Sequence, residues 1–285
     1  MNEKCTSTRL EIEEYYAQAS SAYINWGRDH QREGIYALHI GYYEEDKIQN
    51  NQDQVKSMTN KFINFMDIQD QDTVLDAGCG TGALSFEMAE KFPQINVLGV
   101  NITQSQVLVA KEYAIGHNIG NTVFLNESYN ALSLKNSSVD KVLFMESFCH
   151  SQDKPKTIKE ISRILKSNGK IFISDAFMNE NNLNSETKKR MNIYEKGWSL
   201  GETVGIQHLS TLLKDNGFVD IQIIIITDKI LPSAKLMAEH AQMRLQQDAN
   251  ATEVITLSRK ACVEAYSLIN DSIIGYFFIK ATKDK

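Results

Sequence analysis

Several features that mark other classes of protein are scarce or absent in this 285-residue sequence. The four cysteines, Cys5, Cys79, Cys149 and Cys262, form no CxxC pair, which argues against disulfides and zinc and for free thiols in a reducing compartment. No apolar run is long enough for a transmembrane helix. Acidic residues outnumber basic residues by 36 to 30, so the net charge of −6 offers no phosphate-binding surface and we expect no nucleic-acid partner.

Targeting and repeat signals are also missing. Residues 1–9 are polar rather than apolar, so we expect no secretory signal and a cytoplasmic protein. The sequence has no internal repeat and no low-complexity linker. What remains is ordinary globular composition, 42% hydrophobic and 23% charged, in a chain long enough for one large or two small domains.

Strand and helix patterns alternate over the central part of the chain, which favours a parallel sheet with helices on both faces. Apolar segments predict strands at 73–77, 95–101, 121–125, 139–145, 169–175, 221–226 and 273–279. Helical spacing of apolar residues predicts helices at 8–26, 53–67, 82–92, 104–117, 154–166, 185–196, 206–216, 234–247 and 253–269. About 45 residues separate the last two strands, where a hairpin needs two to five, so a lid is expected there.

The segment 74–82 runs from a short strand into a glycine-rich turn that precedes a helix. Glycines let the backbone turn tightly and approach a ligand, and the first turn of the helix points free N–H groups towards it. A nucleotide-type cofactor is therefore expected. Asp76 lies two residues before the first glycine, where its carboxylate can interact with this ligand directly. The alternative is that Asp76 only stabilises the turn. The second strand ends in Asn101 rather than the acid that would hold an NAD ribose, although Gly78-x-Gly80-x-x-Ala83 also fits a dinucleotide fingerprint.

The same residues resemble the class I S-adenosylmethionine (SAM) dependent methyltransferases. The D-x-G-x-G core at 76–80 is similar to their first motif, and Asn101-Ile102 is similar to the second-strand segment of their small-molecule branch. That branch includes rebeccamycin-type sugar O-methyltransferases, spinosyn-pathway enzymes and γ-tocopherol methyltransferases. Residues 145–150 resemble its E-S-x-x-H segment, and 171–175 resemble its fifth strand, which ends in Asp. The Tyr-rich N-terminal helix and residues 39–42 are similar as well, so the resemblance covers most of the chain.

The resemblance implies an α/β, Rossmann-like methyltransferase fold. We expect a seven-stranded, mostly parallel sheet with the last strand antiparallel, N-terminal helices and a helical lid insertion before the last strand. Residues 1–67 would form a cap over the cofactor site, and 68–285 the SAM-binding catalytic domain, with 176–205 and 232–270 facing the acceptor.

The resemblance also implies SAM as the cofactor, with S-adenosylhomocysteine as its product. The residues expected to bind it are Asp76, Gly78, Gly80, Asn101, Ile102, Gln106, Ser128, Tyr129, Glu146, Tyr23 and His39. Ser128 departs from the family, which often has an acid there to contact the adenine amino group.

The expected reaction is methyl transfer to a small molecule, most directly O-methylation of a natural-product or lipid-like hydroxyl. His150 follows the fourth strand at the ligand-binding edge, and an ordinary histidine pKa near 6.5 suits a general base at neutral pH. Asp175 ends the neighbouring strand, about 4.8 Å away. We expect Asp175 to orient His150 or to accept a hydrogen bond from the acceptor.

Other reactions remain open at this stage. They are N- or C-methylation, a non-methylating cyclase or lyase of the same fold, and a less favoured NAD(P)-dependent oxidoreductase. A Cys149–His150 nucleophile is disfavoured because neighbours on a strand point to opposite faces. A metal site built from His39, His150 and Asp175 lacks any spacing signature, and we expect no metal.

Two aromatic or apolar groups have alternative interpretations. The stripe formed by Tyr15, Tyr16 and Tyr23 is either core or a cover that keeps water from the cofactor. Trp198 and the segment 237–243 either line an apolar acceptor pocket or serve helix packing.

Overall fold

The computed structural model describes residues 12–19, 32–45, 50–179 and 183–285 of the chain. A helical segment, α1, occupies residues 12–19. The later helices are α2 Asn51–Phe65, α3 Ala83–Lys91, α4 Gln104–Gly116, α5 Lys154–Ile164, α6 Ser185–Gly197, α7 Ile206–Asp215, α8 Thr227–Gln247 and α9 Glu253–Asn270. The strands are β1 Thr73–Ala77, β2 Asn96–Val100, β3 Thr122–Leu125, β4 Val139–Met145, β5 Leu165–Met178, β6 Phe218–Ile225 and β7 Ile274–Lys283.

All seven strands belong to one sheet, in the order β3-β2-β1-β4-β5-β7-β6. The pairs from β3 to β5 are parallel, and β7 runs antiparallel to both β5 and β6. The predicted fold, with its antiparallel last strand, is therefore confirmed. Strand order reverses between β1 and β4, and a crevice forms at the carboxyl ends of strands at such a switch point.

Both faces of the sheet are covered, as parallel sheets require. On one face, β4 and β5 contribute Leu143 and Phe172 to a core shared with α2, α8 and α9. On the other face, Val142 and Ile171 pack against α5 and α7. Burial on both faces explains why the central strands read as nearly continuous apolar runs.

Many element boundaries differ from the predicted ones by one to four residues, and α8 differs by more. Two of these differences have a clear physical cause. Strand β5 begins at Leu165, four residues before the predicted start, because Leu165 pairs with Val139. A register shift follows this pair, and the polar residues 166–168 gave no sign of a strand there. Helix α8 begins at Thr227 rather than 234, with Pro232 inside it. A proline inside a helix normally argues against that helix, but Ile230 and Ala234 on either side of it are fully buried and their packing holds the turn in place.

The segment 32–45 connects the sheet edge, where Ile40 N donates to Glu146, with the helices α2 and α8. Tyr42 N–H donates to Gln54 in α2, and Tyr43 N–H donates to Lys229 in α8. Gly41 lies so close to α2 that a Cβ there would come within 2.5 Å of Gln54 Cβ. These contacts hold residues 36–40 over the carboxyl ends of the strands. In the part of the chain that the structure describes, no helix has the length and apolar character needed to cross a membrane.

Candidate active site

Two adjoining cavities lie at the carboxyl ends of the central strands. The first, which we call the turn cavity, has a volume of about 300 Å³ and lies beside the glycine-rich turn after β1. The second, the inner pocket, has a volume of about 100 Å³ and lies between the sheet edge and the helices α6, α8 and α9. Five side chains line both cavities: Tyr16, Leu38, His39, Glu146 and His150. Two ligands bound in these cavities would therefore meet at this group of side chains.

The glycine-rich turn forms the floor of the turn cavity. Gly78 has a positive φ of 91°, and a Cβ there would come within 2.4 Å of Ser147 Cβ, so this glycine permits close packing against the loop after β4. Gly80 also has a positive φ, 54°, but no neighbouring atom of the described residues lies within 4 Å of where its Cβ would stand. A side chain at Gly80 would thus project into open space along the cavity wall, which is the pattern expected of a cradle for a ligand.

Asp76 is buried in the wall of the turn cavity, two residues before Gly78. Its Oδ2 accepts a hydrogen bond of 2.7 Å from Ser85 Oγ in α3. Burial raises the pKa of Asp76 to about 6, partly offset by the Ser85 hydroxyl. A cationic ligand group beside this carboxyl would favour its ionised form.

The end of β2 presents amide side chains to the turn cavity. Asn101 Nδ2 donates to Gln106 Oε1 at 2.7 Å, and Gln106 Nε2 donates to the Tyr36 hydroxyl at 3.4 Å. Asn126 holds the loop by donating to the backbone carbonyls of Asn101 and Ile102. Asn101 and Ile102 both line the cavity, so the end of β2 offers an amide oxygen as a hydrogen-bond acceptor there rather than a carboxylate.

Ser128 and Tyr129 line the opposite end of the same cavity. The Ser128 hydroxyl accepts from the backbone N–H of Asn130 at 3.2 Å. The Tyr129 hydroxyl donates to the carbonyl of Ser147 at 3.0 Å, which ties the loop after β3 to the loop after β4. No carboxylate occupies this end of the cavity among its described lining residues, so an adenine amino group would have to donate to neutral oxygens here.

Glu146 stands directly after β4 with a positive φ of 47°, an uncommon backbone conformation for a residue other than glycine. Its Oε1 accepts from Ile40 N at 2.7 Å and from the Tyr276 hydroxyl at 2.6 Å. Burial raises the pKa of Glu146 to about 8, against the opposing effect of both hydrogen bonds. The side chain is therefore mostly protonated at neutral pH, and it separates the two cavities as a neutral polar group.

His150 lies at the end of a 3₁₀ turn, Phe148–His150, that follows β4. Its Nδ1 is 3.2 Å from the carbonyl oxygen of Ser199, and its Nε2 is 2.8 Å from the Tyr16 hydroxyl. Because a carbonyl oxygen only accepts, Nδ1 carries the proton, and the neutral Nε2 accepts from Tyr16. Burial lowers the pKa of His150 to about 4, below the value near 6.5 on which the sequence prediction relied. The imidazole is therefore a weaker base than predicted, but it is neutral at pH 7 and offers its Nε2 lone pair where the cavities meet.

Asp175 does not contact the imidazole of His150 through any hydrogen bond of the described residues. Its Oδ2 accepts from Cys149 N at 2.8 Å, and its Oδ1 accepts from Ala176 N at 2.9 Å. The expected Asp175–His150 pair is thus replaced by a carboxylate that fixes the backbone just before His150. The side chain still lines the inner pocket, where burial raises its pKa to about 6.

The surroundings of Cys149 and of the histidines do not favour a cysteine nucleophile or a metal site. Residues 148–150 form a 3₁₀ turn rather than strand, so the argument from strand alternation does not apply, but burial and the neighbouring Asp175 raise the pKa of the Cys149 thiol well above its usual value. The two ring nitrogens of His39 form hydrogen bonds with the Ile40 carbonyl oxygen and the Thr59 hydroxyl. Within the described ranges no cluster of three or more His, Cys, Asp and Glu side chains could hold a metal ion.

The structure brings most of the sequence-predicted site residues together. The turn cavity is lined by Asp76, Gly78, Gly80, Asn101, Ile102, Gln106, Ser128, Tyr129, Glu146, His39 and His150. Asp175, Trp198 and Met237 line the inner pocket, as do Tyr15 and Tyr16. Tyr23 and Cys5 lie outside the described residues. Sequence reasoning missed Tyr36, whose hydroxyl accepts from Gln106, because the segment 32–45 has no periodic pattern.

Comparison with known proteins identifies this arrangement. A family described as "Methyltransferase domain" matches residues 68–217. The chain belongs to this family. Phosphoethanolamine N-methyltransferase 1 of Arabidopsis thaliana is 30% identical over 163 residues, which is 57% of this chain but only 32% of that protein. The chain thus matches about a third of the length of this plant relative. O-methyltransferase resE of Aspergillus sclerotiorum is 22% identical over 86% of this chain and 89% of its own length.

Solved structures with the same fold cover nearly the whole methyltransferase chain. A sarcosine dimethylglycine methyltransferase structure from Galdieria sulphuraria, described there as putative, gives a TM-score of 0.80 at 18% identity, covering 95% of this chain and 98% of its own. The [4+2]-cyclase SpnF gives a TM-score of 0.79 at 19% identity, covering 98% of each chain. These structures confirm the fold, and the family match together with the fungal O-methyltransferase confirms the recognition as a class I methyltransferase of the small-molecule branch.

The cofactor of this methyltransferase is SAM, as the sequence predicted. The open space over Gly80, the buried carboxyl of Asp76 and the amides after β2 fit the amino-acid and ribose parts of such a ligand. The assignment of individual residues to parts of SAM stays a prediction, as does the division into a cap, 1–67, and a catalytic domain, 68–285.

Proposed function

We propose that this methyltransferase methylates a hydroxyl group of a small, largely apolar molecule, with His150 as the general base. The observation that carries the proposal is the position of His150 Nε2. It is an unprotonated imidazole nitrogen at the junction of the turn cavity and the inner pocket, and it accepts a hydrogen bond from a hydroxyl group, that of Tyr16. An acceptor hydroxyl that replaces the Tyr16 hydroxyl would give its proton to the same nitrogen.

The side chains around His150 prepare it for this role. The Ser199 carbonyl fixes the tautomer, and Asp175 fixes the backbone of Cys149. When bound, SAM supplies an electrophilic methyl group on a sulfonium centre. Asp76, Asn101 and Gln106 would hold the cofactor, so that the acceptor oxygen and the methyl group meet beside Glu146 and His150; such positioning is a large part of catalysis in methyl transfer.

The inner pocket suits the apolar part of an acceptor, which would displace water from it. Aromatic rings of Tyr15, Tyr194, Trp198 and Tyr276 form much of its wall, with Leu200, Ile269 and Ile274 between them. Removal of water strengthens the hydrogen bond between an acceptor and His150, because the local dielectric is low.

The charge state of Glu146 favours a hydroxyl over an amine. An ionised carboxylate would favour a protonated amine in the inner pocket, but burial keeps Glu146 mostly protonated at neutral pH. The fungal O-methyltransferase, which covers 86% of this chain, supports the same choice, whereas the plant N-methyltransferase matches a shorter stretch. We further propose that the acceptor is a natural product or lipid-like molecule and that the protein acts in the cytoplasm.

Labelled methyl transfer from SAM to phenols and aliphatic alcohols, with amines of the same carbon skeleton for comparison, tests the proposal. In the variant His150→Ala, kcat should fall by about 10²- to 10⁴-fold, as expected when a general base is lost. The affinity for S-adenosylhomocysteine should stay near that of the wild type, because a base acts in the transition state rather than in cofactor binding.

Cys149→Ser is the matched control. It changes the side chain next to His150 in sequence and keeps the backbone N–H that donates a hydrogen bond to Asp175. It should keep most of its activity. Unchanged kcat in His150→Ala, or equal losses of kcat and cofactor affinity, would show that His150 is structural. Methylation of the amines alone would overturn the hydroxyl assignment.

A further inference from the structure

A groove of about 820 Å³ lies outside the two cavities already described, between α1, α8, α9 and the start of α2. We call it the outer groove. Its wall is apolar at Met237, Ala241 and Ile255 and polar at Arg244 and Arg259. The Met237 side chain lines both this groove and the inner pocket. The two spaces are therefore neighbours that share a wall.

Three helices run from the inner pocket to the outer groove with the same face exposed to both. On α9, Ile269 and Ala265 line the inner pocket, and Cys262 and Arg259 continue that face into the groove. On α8, Met237 is followed one turn later by Ala241, which lines the groove. Residues three or four apart lie on one helix face, so each of these faces forms a continuous wall.

Helix α1 completes the connection. Tyr15 lines the inner pocket, and Ala19, one turn later, lines the groove. The Tyr15 hydroxyl is 3.2 Å from Ser258 Oγ, which also lines the groove. Among the described residues, the boundary between the two spaces thus includes this hydroxyl pair and the Met237 side chain, which has three rotatable bonds and adapts readily to a neighbour.

The outer groove differs in charge from the protein as a whole. Its described lining residues include Arg244, Arg259 and His240 but no Asp or Glu, on a chain whose net charge is −6. Asp248 pairs with Arg259 at 2.8 Å and also interacts electrostatically with Arg244, whose side chain is exposed at the groove. The far end of the groove is therefore suited to an anionic group.

We propose that the acceptor is an elongated molecule that occupies both spaces, with its hydroxyl at His150, an apolar body passing Met237 and an anionic group beside Arg244. The inference rests on the proposed function and adds the shape and charge of the substrate to it. At about 100 Å³ the inner pocket is smaller than the 300–1,000 Å³ of typical small-molecule sites, so it holds only the reacting end of such a molecule.

Binding of n-alkanols, from ethanol to decanol, to the protein saturated with S-adenosylhomocysteine tests the shape. We expect Kd to fall by about fourfold per added methylene over the whole series in the wild type, since each methylene leaves water. In Met237→Trp the indole closes the boundary, and the affinity should stop rising once the inner pocket is full. Leu108→Trp, which adds the same ring at an exposed position of α4, is the control and should follow the wild type.

Binding of ω-hydroxydecanoate, compared with decanol, tests the charge. The carboxylate should improve Kd by about two- to fivefold in the wild type, as expected for a partly exposed ion pair, and Arg244→Gln should remove this gain. Equal affinity for the two compounds, or a gain that persists in Arg244→Gln, would overturn the assignment of an anionic group to this end.

The outcomes separate this inference from the proposed function. Two results would refute the extended site even if His150 catalyses methylation of short hydroxyl compounds. One is a wild-type affinity that stops rising already among the short alkanols, and the other is a dependence of Kd on chain length that is the same in Met237→Trp as in the wild type. The expected dependence on chain length, without methylation of any bound hydroxyl compound, would support the extended site and refute O-methylation.

Discussion

Glu146 combines three properties that are rarely found together in one residue. It is half-buried, it has a left-handed backbone conformation, and it lines both the turn cavity and the inner pocket. Strained backbone of this kind persists where the surroundings hold it, and it is concentrated at functional sites. Here Ile40 N and the Tyr276 hydroxyl provide that support by donating to the same carboxyl oxygen.

The raised pKa of Glu146 makes stability depend on pH. Because the folded-state pKa of about 8 exceeds the ordinary value of 4.5, Glu146 stabilises the fold fully below about pH 4.5 and loses this contribution as the pH rises through 8. Glu146→Gln does not titrate, so the free energy of unfolding of the wild type relative to this variant should fall by about 1 kcal/mol per pH unit across that window. Urea unfolding of both proteins at several pH values measures the difference. Parallel pH profiles would show that Glu146 is ionised in the fold.

At the residue scale, the sequence predicted which side chains gather at the site but not how they pair. The carboxyl ends of parallel strands meet at one edge, so Asp76, Asn101, Glu146 and His150 could be placed there from the strand pattern alone. The strand spacing does not determine where a side chain points. The 3₁₀ turn after β4 directs the Cys149 N–H rather than the His150 imidazole towards Asp175, and nothing in the sequence pattern indicated that turn.

The helices α6 and α9 pack closely beside the inner pocket. A Cβ at Gly197, the last residue of α6, would come within 2.5 Å of the Leu257 carbonyl oxygen and 2.6 Å of Ala261 Cβ. Next to this contact, Arg190 of α6 forms ion pairs with Glu264 and with Asp271. Tyr194, on α6, and Ala265, on α9, both line the pocket, so a change in helix separation would reach it directly.

Gly197→Ala should therefore destabilise the protein by about 1–3 kcal/mol, the usual cost of overpacking a close contact. Gly116→Ala is the matched control, because Gly116 is also the last residue of a helix, α4, and no atom lies within 4 Å of its Cβ position. The control should be neutral or stabilise by up to about 1 kcal/mol, since alanine restricts the unfolded chain. Urea unfolding compares the two, and equal stability in both variants would mean that the helices separate at no cost.

At the element scale, most helices and strands could be predicted because their periodicity is strong. The structure begins and ends β1 and β4 at the predicted residues, 73–77 and 139–145. The sequence pattern placed the starts of β5 and α8 too late because polar residues 166–168 and Pro232 look like element breakers. Pairing with Val139 and burial of Ile230 outweigh those local preferences, and such tertiary contacts have no sequence signature.

Over the whole molecule, segments that are distant in sequence converge on the strand ends. The segment 32–45, the sheet edge and the lid helices α8 and α9 all contribute to the walls of the two cavities. Gly41 N–H donates to Ser233 Oγ across 192 positions of sequence, and Tyr276 reaches Glu146 across 130. The family resemblance predicted this architecture, whereas periodicity alone predicted only an alternating α/β sheet.

Thermal unfolding with S-adenosylhomocysteine tests the central claim most directly, in the wild type, Gly80→Val and Gly217→Val. Both glycines have positive φ values and open space around the Cβ position, but only Gly80 lines the turn cavity. At 100 times its Kd, the ligand should stabilise the wild type and Gly217→Val by about 2.7 kcal/mol, a rise in Tm of about 5 °C or more, and should leave Gly80→Val unchanged. A rise with NAD instead of S-adenosylhomocysteine, or the same rise in Gly80→Val as in the wild type, would contradict the assignment of this cavity to SAM.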